Sequence, residues 1–253
     1  RNAAEPQPNW PTLGRVDILR NRLHRINFRP RPPAPNLAIP SISIFGATTG
    51  ETAGNVVTRS WGSGIYMQGG KDLGSRQTVP LIRYMVHHNK IIDALLVTND
   101  WGALQANTGG PIYLYNNHVG NPVGPHPHKR NSEKADFGYR QYAHNGYGIY
   151  LDGSSHKKYV FNNIAWGKAN NPNDWFRNRA PQMMVNAGMC NWFNNSFDNF
   201  LHGAWGSSGS RSSSLGNIYA EIGWTYIGLG MSNDISTAYG GEDPQETLRM
   251  GLP

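Results

Sequence analysis

Cysteine is almost absent from this 253-residue chain. The single thiol, Cys190, excludes an internal disulfide framework. Its neighbours Met189, Asn191, Trp192 and Phe193 mark it as a buried structural side chain. Charge is sparse as well: Asp, Glu, Lys and Arg together make up 15% of the residues. No apolar run approaches the length needed to cross a bilayer as a helix, so no membrane span is expected. No leader peptide is recognisable and the first residue is Arg1, which reads as a mature product or a piece of a larger protein. The 3.6-residue apolar period is missing too, which excludes helical repeats.

The formal net charge is +7, and much of it comes from Arg15, Arg20, Arg22, Arg25, Arg29 and Arg31, set against Asp17. A basic edge of this kind attracts polyanions. No recognition helix or RNA-binding signature accompanies it, so nucleic acid is not expected as a partner. An acidic polysaccharide, or another domain or subunit of a larger assembly, fits better.

Gly, Asn, Ser, Trp and Tyr are abundant, and one of them is periodic. An asparagine flanked by apolar residues recurs at Asn21, Asn55, Asn89, Asn117, Asn163, Asn195 and Asn217. The gaps are 34, 34, 28, 46, 32 and 22 residues, the pattern of a constant rung carrying insertions of unequal length. Within the clearest rungs the order is constant. A short alternating segment (Gly148, Ile149, Tyr150, Leu151, Asp152) is followed by a Gly-Ser-Ser turn, a second segment (Tyr159, Val160, Phe161) and then Asn162-Asn163. The stretch from Gly102 to Asn117 repeats this with the same offset. Alternation over about five residues, bounded by Gly, Ser and Asn, predicts strands. A lone coil cannot bury its apolar face, but stacked coils can. Stacking would also bring the asparagines into one column, where their amides hydrogen-bond up and down.

Three stretches carry a family resemblance: Asn89-Lys90-Ile91-Ile92-Asp93, Asp100-Trp101-Gly102-Ala103, and Gly148 through Ser155. Over roughly residues 15–222 the chain resembles the right-handed parallel β-helix proteins of the pectate-lyase-like type. It is similar to the β-helix repeat domains of secreted polysaccharide hydrolases and lyases. The resemblance implies an all-β, right-handed parallel β-helix (a solenoid) with loop insertions. Residues 1–14 would then form an extended N-terminal segment and residues 223–253 a C-terminal cap or tail. It also implies a secreted, cell-surface or periplasmic location and a polysaccharide substrate. The polygalacturonase-like branch is set aside, because Thr98-Asn99-Asp100 scrambles its Asn-Thr-Asp motif and no Asp-Asp pair is present.

Asp100, just before one strand, and Asp152, at the end of the matching strand a rung later, are the expected acid and nucleophile or base of a glycoside hydrolase. As plain turn residues, Asn99-Asp100 and Asp152-Gly153 need no such role. Lyase action on a uronate polymer is the second chemistry, drawing on His144, Arg140, Tyr139, Lys129 and Arg130 from the insertion at 120–147. Trp101, Tyr66, Tyr150, Tyr139, Trp175 and Trp205 are expected as exposed platforms on which sugar rings stack. A non-catalytic carbohydrate-binding or assembly module is the third possibility. Asp93 reads as a corner residue. Strand alternation predicts that one of His87 and His88 points out of the coil and the other in. His118, His126, His128 and His144 match no zinc spacing, so neither metal nor cofactor is expected.

Overall fold

The computed structural model describes residues 13–26, 40–45, 47–68, 83–96, 101–107, 111–123, 146–152, 158–167, 179–183, 190–200, 205–206, 213–222 and 235–238. These residues form strands and turns and contain no helix. The first rung holds β1 (Leu13–Leu19), β2 (Arg22–His24) and β3 (Ile42–Phe45). The second holds β4 (Ala47–Ala53), β5 (Val56–Thr58) and β6 (Ile65–Gln68), and the third β7 (Arg83–His87), β8 (Lys90–Ile92) and β9 (Trp101–Asn107). Then come β10 (Ile112–Tyr115), β11 (His118–Gly120) and β12 (Gly146–Leu151), followed by β13 (Lys158–Phe161), β14 (Ile164–Trp166) and β15 (Arg179–Met183). The series ends with β16 (Cys190–Phe193), β17 (Ser196–Asp198), β18 (Trp205–Gly206), β19 (Ser213–Leu215), β20 (Ile218–Ile222) and β21 (Ile235–Ala238).

Up to β20, every third strand joins the same sheet. Sheet 1 runs β1-β4-β7-β10-β13-β16-β19, sheet 2 runs β2-β5-β8-β11-β14-β17-β20-β21, and sheet 3 runs β3-β6-β9-β12-β15-β18. The strand pairings are parallel throughout. The protein is thus all-β with three parallel sheets, an arrangement compatible with a parallel β-helix. Beyond the two strands expected in the clearest rungs, the structure adds the strands of sheet 2, six of which have three residues and are too short to show an alternation of their own.

The apolar positions of each strand meet inside. Val57, Ile91, Val119, Ala165 and Phe197 of sheet 2 face Val86, Leu114 and Val160 of sheet 1 and Ile65, Leu104 and Ile149 of sheet 3, in one buried core. The corner between sheets 1 and 2 explains why asparagine recurs. From Asn55 to Asn217 the ladder asparagines are buried, while Asn21 at the first rung is exposed. The side-chain amide of each donates to the Oδ1 of the next, at 2.8–3.0 Å. The backbone N–H of each donates to that same oxygen at 2.9–3.1 Å. From Asn55 onward, Nδ2 also reaches back to a strand carbonyl of the preceding rung, as Asn117 does to Val86 at 2.9 Å. A corner bends the backbone out of the sheet ladder, and buried N–H and C=O groups must find other partners there. A side-chain amide supplies both.

Asn116, Asn162 and Asn194 have a different task, each standing one residue before a ladder asparagine. Their φ values are 52°, 54° and 54°, and Gly54 and Gly216 hold the same place at 67° and 65°. This left-handed conformation turns the chain, and Gly and Asn adopt it at least cost. Asp93 (φ 55°), Asn121 (49°) and Asn199 (55°) do the same at the corner after sheet 2, so Asp93 is a corner residue as its position suggested.

Candidate functional site

Asp152 follows β12 directly and is half-buried, its backbone N–H donating to the Ala106 carbonyl at 3.0 Å. Trp101 opens β9 and is half-buried. Asp100, Arg140, His144, Tyr139 and Trp175 lie outside the described residues, and Trp205 opens β18. Tyr66 and Tyr150, expected as exposed platforms, are only 4% and 3% exposed. They stand in register with Gln105 between them, on the side of sheet 3 away from the core. That side is filled too: β12 is buried at every position. Alternation gives one bare face only where nothing packs on the outside. The Tyr66 phenol accepts from Asn107 Nδ2 at 3.2 Å and packs 5.8 Å from Trp101, centroid to centroid. Burial raises its pKa, and the nearby Asp152 charge adds to the effect.

Lys158 sits inside, in register with Ile112 and Cys190. Its Nζ donates to the Asn107 carbonyl at 2.9 Å. Burial pushes this amine down to about 7, opposed in part by the nearby charge of Asp152. Burial pushes the Cys190 thiol up to about 11, so it is a protonated core side chain at neutral pH.

The outside of sheet 1 is different. Tyr115, Phe161 and Phe193 stand in register on β10, β13 and β16, each two residues before a ladder asparagine. Their ring centroids are 5.0 and 4.9 Å apart and their planes within 3° of parallel. His87 extends the stack at 4.7 Å from Tyr115, and Leu215 follows Phe193 at the other end. Two residues away, Tyr113 and Tyr159 stack at 5.0 Å, with Arg83 5.6 Å from the Tyr113 ring. Parallel rings whose centres are 5 Å apart are offset like shingles, so each covers part of its neighbour and leaves a rim and part of a face outward. The rings are half-buried. Beside them runs the exposed column His88, Asn162 and Asn194, with Asn116 half-exposed in the same line. Sequence reasoning missed this face; the aromatic residue two places before the asparagine at Tyr115, Phe161 and Phe193 is the signal that could have found it.

The histidine pair breaks the expected alternation. His88 has φ 54°, and this turn brings its ring to the same outer side as His87. The two Nδ1 atoms are 2.8 Å apart, and His87 Nε2 lies 2.9 Å from Glu51 Oε2. Among the described residues no group of three or more His, Cys, Asp or Glu side chains converges as a cation site. Comparison with known protein families, curated proteins and solved structures finds no match for this chain.

Proposed function

We propose that this chain is a right-handed parallel β-helix of the pectate-lyase-like type, secreted or held at the cell surface or in the periplasm, that binds a polysaccharide along the outer face of sheet 1. Right-handedness follows from the general rule for crossovers between parallel strands of one sheet. The observation that carries the binding function is the rung-periodic face itself. Half-exposed Tyr113, Tyr115, Tyr159, Phe161 and Phe193 lie beside the outward amides of Asn116, Asn162 and Asn194. Rungs repeat at about 4.8 Å, comparable with the length one sugar ring takes along an extended chain. Apolar ring surface paired with one amide per repeat suits a polymer that is apolar on its C–H faces and hydroxylated at its edges.

Hydrolysis of the bound chain is the enzymatic extension of this reading, with Asp152 as its acid. Trp101 pairs with Gly146, and Leu151 with Ala106. The strand ends that adjoin Asp100 and Asp152 are therefore about 17 Å apart at ~3.3 Å per residue. Binding is the function put forward, and cleavage, which needs a carboxyl pair about 5–9.5 Å apart, is the second question. A panel of neutral and acidic polysaccharides in affinity electrophoresis tests the first. Retardation by at least one polymer, weakened by Phe161→Ala, is expected, and no retardation by any polymer overturns it. New reducing ends that disappear in Asp152→Asn would establish hydrolysis. Unsaturated products from a uronate polymer would make the protein a lyase.

A further inference from the structure

We propose that His87 and His88 form a binding site for a divalent d-block cation of tetragonal preference, copper(II) or nickel(II) in class, held through both Nδ1 atoms. Successive residues of a strand point to opposite sides. These two share one side only because His88 takes a left-handed turn that the neighbouring rungs give to Gly54 and Asn116. Arg20 takes the same turn at this corner of the first rung, so the conformation belongs to the corner; particular to this rung is that the corner residue and the residue before it are both histidines.

The geometry fits two adjacent coordination positions. The Nδ1 atoms are 2.8 Å apart and the ring planes are 84° from parallel. Two imidazole nitrogens at about 2.0–2.1 Å from one metal lie about 2.9 Å apart at a right angle and about 3.4 Å apart at a tetrahedral angle. The separation, which is also that of a shared proton, is compatible with two adjacent positions of a square-planar or tetragonal ion.

Each ring is also held from behind. Glu51, one rung earlier, meets His87 Nε2 at 2.9 Å, which fixes the proton there and leaves Nδ1 as the ligand atom. The side chain of Asn116, one rung later, lies 3.4 Å from His88 Nε2. Turning that amide over presents its oxygen as acceptor and gives His88 the same tautomer. Without a cation the two Nδ1 atoms share one proton; a metal displaces it and takes both lone pairs. Tyr115 stacks on His87 and meets His88 edge-on, and His88 is exposed, so water can complete the coordination.

The test requires no saccharide, so its result is independent of the polysaccharide reading. Copper(II) is titrated into the full chain near neutral pH and followed by electron paramagnetic resonance and calorimetry. Wild type is expected to bind with two-imidazole hyperfine structure. His88→Asn, which installs the residue other rungs use at this corner, should weaken binding at least tenfold and remove one nitrogen from the spectrum. Glu51→Gln, which keeps both ligands, should weaken it by about tenfold through the lost orienting contact. His118→Ala, at an exposed position on sheet 2, should leave binding unchanged. Copper affinity and spectrum unaltered by His88→Asn, with the circular dichroism of wild type, would overturn the proposal. So would the absence of binding at micromolar copper.

Discussion

Along β10, β13 and β16 the chain lays two kinds of column, alternating residue by residue. The inward set is Ile112, Leu114, Lys158, Val160, Cys190 and Trp192, all buried. The outward set is Tyr113, Tyr115, Tyr159, Phe161, Asn191 and Phe193, all half-exposed. The corner that follows repeats the contrast within single Asn-Asn doublets: Asn163 and Asn195 are buried in the ladder, and Asn162 and Asn194 are outside it. Inside the ladder, each buried asparagine has specific partners to satisfy. Outside, the same polar residue types are available for something else. The difference separates positions that build the scaffold from positions that can be changed without losing it, and the second set is where binding belongs.

The largest effect that would sharpen this contrast is expected at Asn163→Ala. Its Oδ1 accepts from both the backbone and the side chain of Asn117, and its Nδ2 serves the Leu114 carbonyl. Each buried group left unpaired costs about 1–3 kcal/mol. A loss of roughly 3–5 kcal/mol is therefore expected in denaturant unfolding. Asn21→Ala at the exposed end should cost less than about 1 kcal/mol. Equal losses at the two sites would break the distinction.

Next comes Lys158. Its folded-state pKa of about 7 lies below the usual lysine value of 10.5, so the unfolded chain binds more protons between those values. Stability should therefore rise with pH from about 7 upward, by at most about 1.4 kcal/mol per unit. Between 9 and 11 Cys190 acts in the opposite sense, because its raised pKa makes the folded state the better proton binder there. The rise is cleanest from pH 7 to 9. Thermal unfolding across that window, with Lys158→Met flattening the slope, checks it.

Phe161 and Val160 are chain neighbours on opposite sides of β13. Val160→Ala should cost about 2–3 kcal/mol of stability and leave polysaccharide retardation of the folded protein unchanged. Phe161→Ala should cost about 1 kcal/mol of stability, the worth of its ring contacts, and lower polysaccharide affinity at least tenfold. The smallest effect is expected outside the corner. Asn162→Gly should change stability by a few tenths of a kcal/mol, and Asn162→Ala should cost about 1 kcal/mol at φ 54°.

Much of the architecture was legible. The recurring asparagine marked the corner, and the structure places Asn21 through Asn217 in one continuous hydrogen-bonded column. In the clearest rungs the strands of sheets 1 and 3 were visible as alternating segments, as at Ile112–Tyr115 and Gly146–Leu151. The strands of sheet 2, such as Lys90–Ile92, were not, because three residues carry no periodicity. The expected position of the site was less secure. Tyr66 and Tyr150 alternate like exposed strand residues, yet packing on the outer side of sheet 3 buries them. Tyr115, Phe161 and Phe193 looked like ordinary strand residues, and only their register shows that they form one face. His87 and His88 could not be paired from sequence, because alternation separates neighbours unless the second turns left-handed.

The sequence by itself determined that the chain repeats, where the asparagine corner of each rung falls, and which residue type that corner requires. Those are local properties, set by backbone conformation and by the need to satisfy buried amides. Which rungs stack in which register, which side of a sheet stays open, and which rings and imidazoles meet across tens of residues were decided only by the tertiary structure. Insertions of unequal length separate equivalent positions by 22 to 46 residues along the chain, and stacking returns them to hydrogen-bonding distance in space.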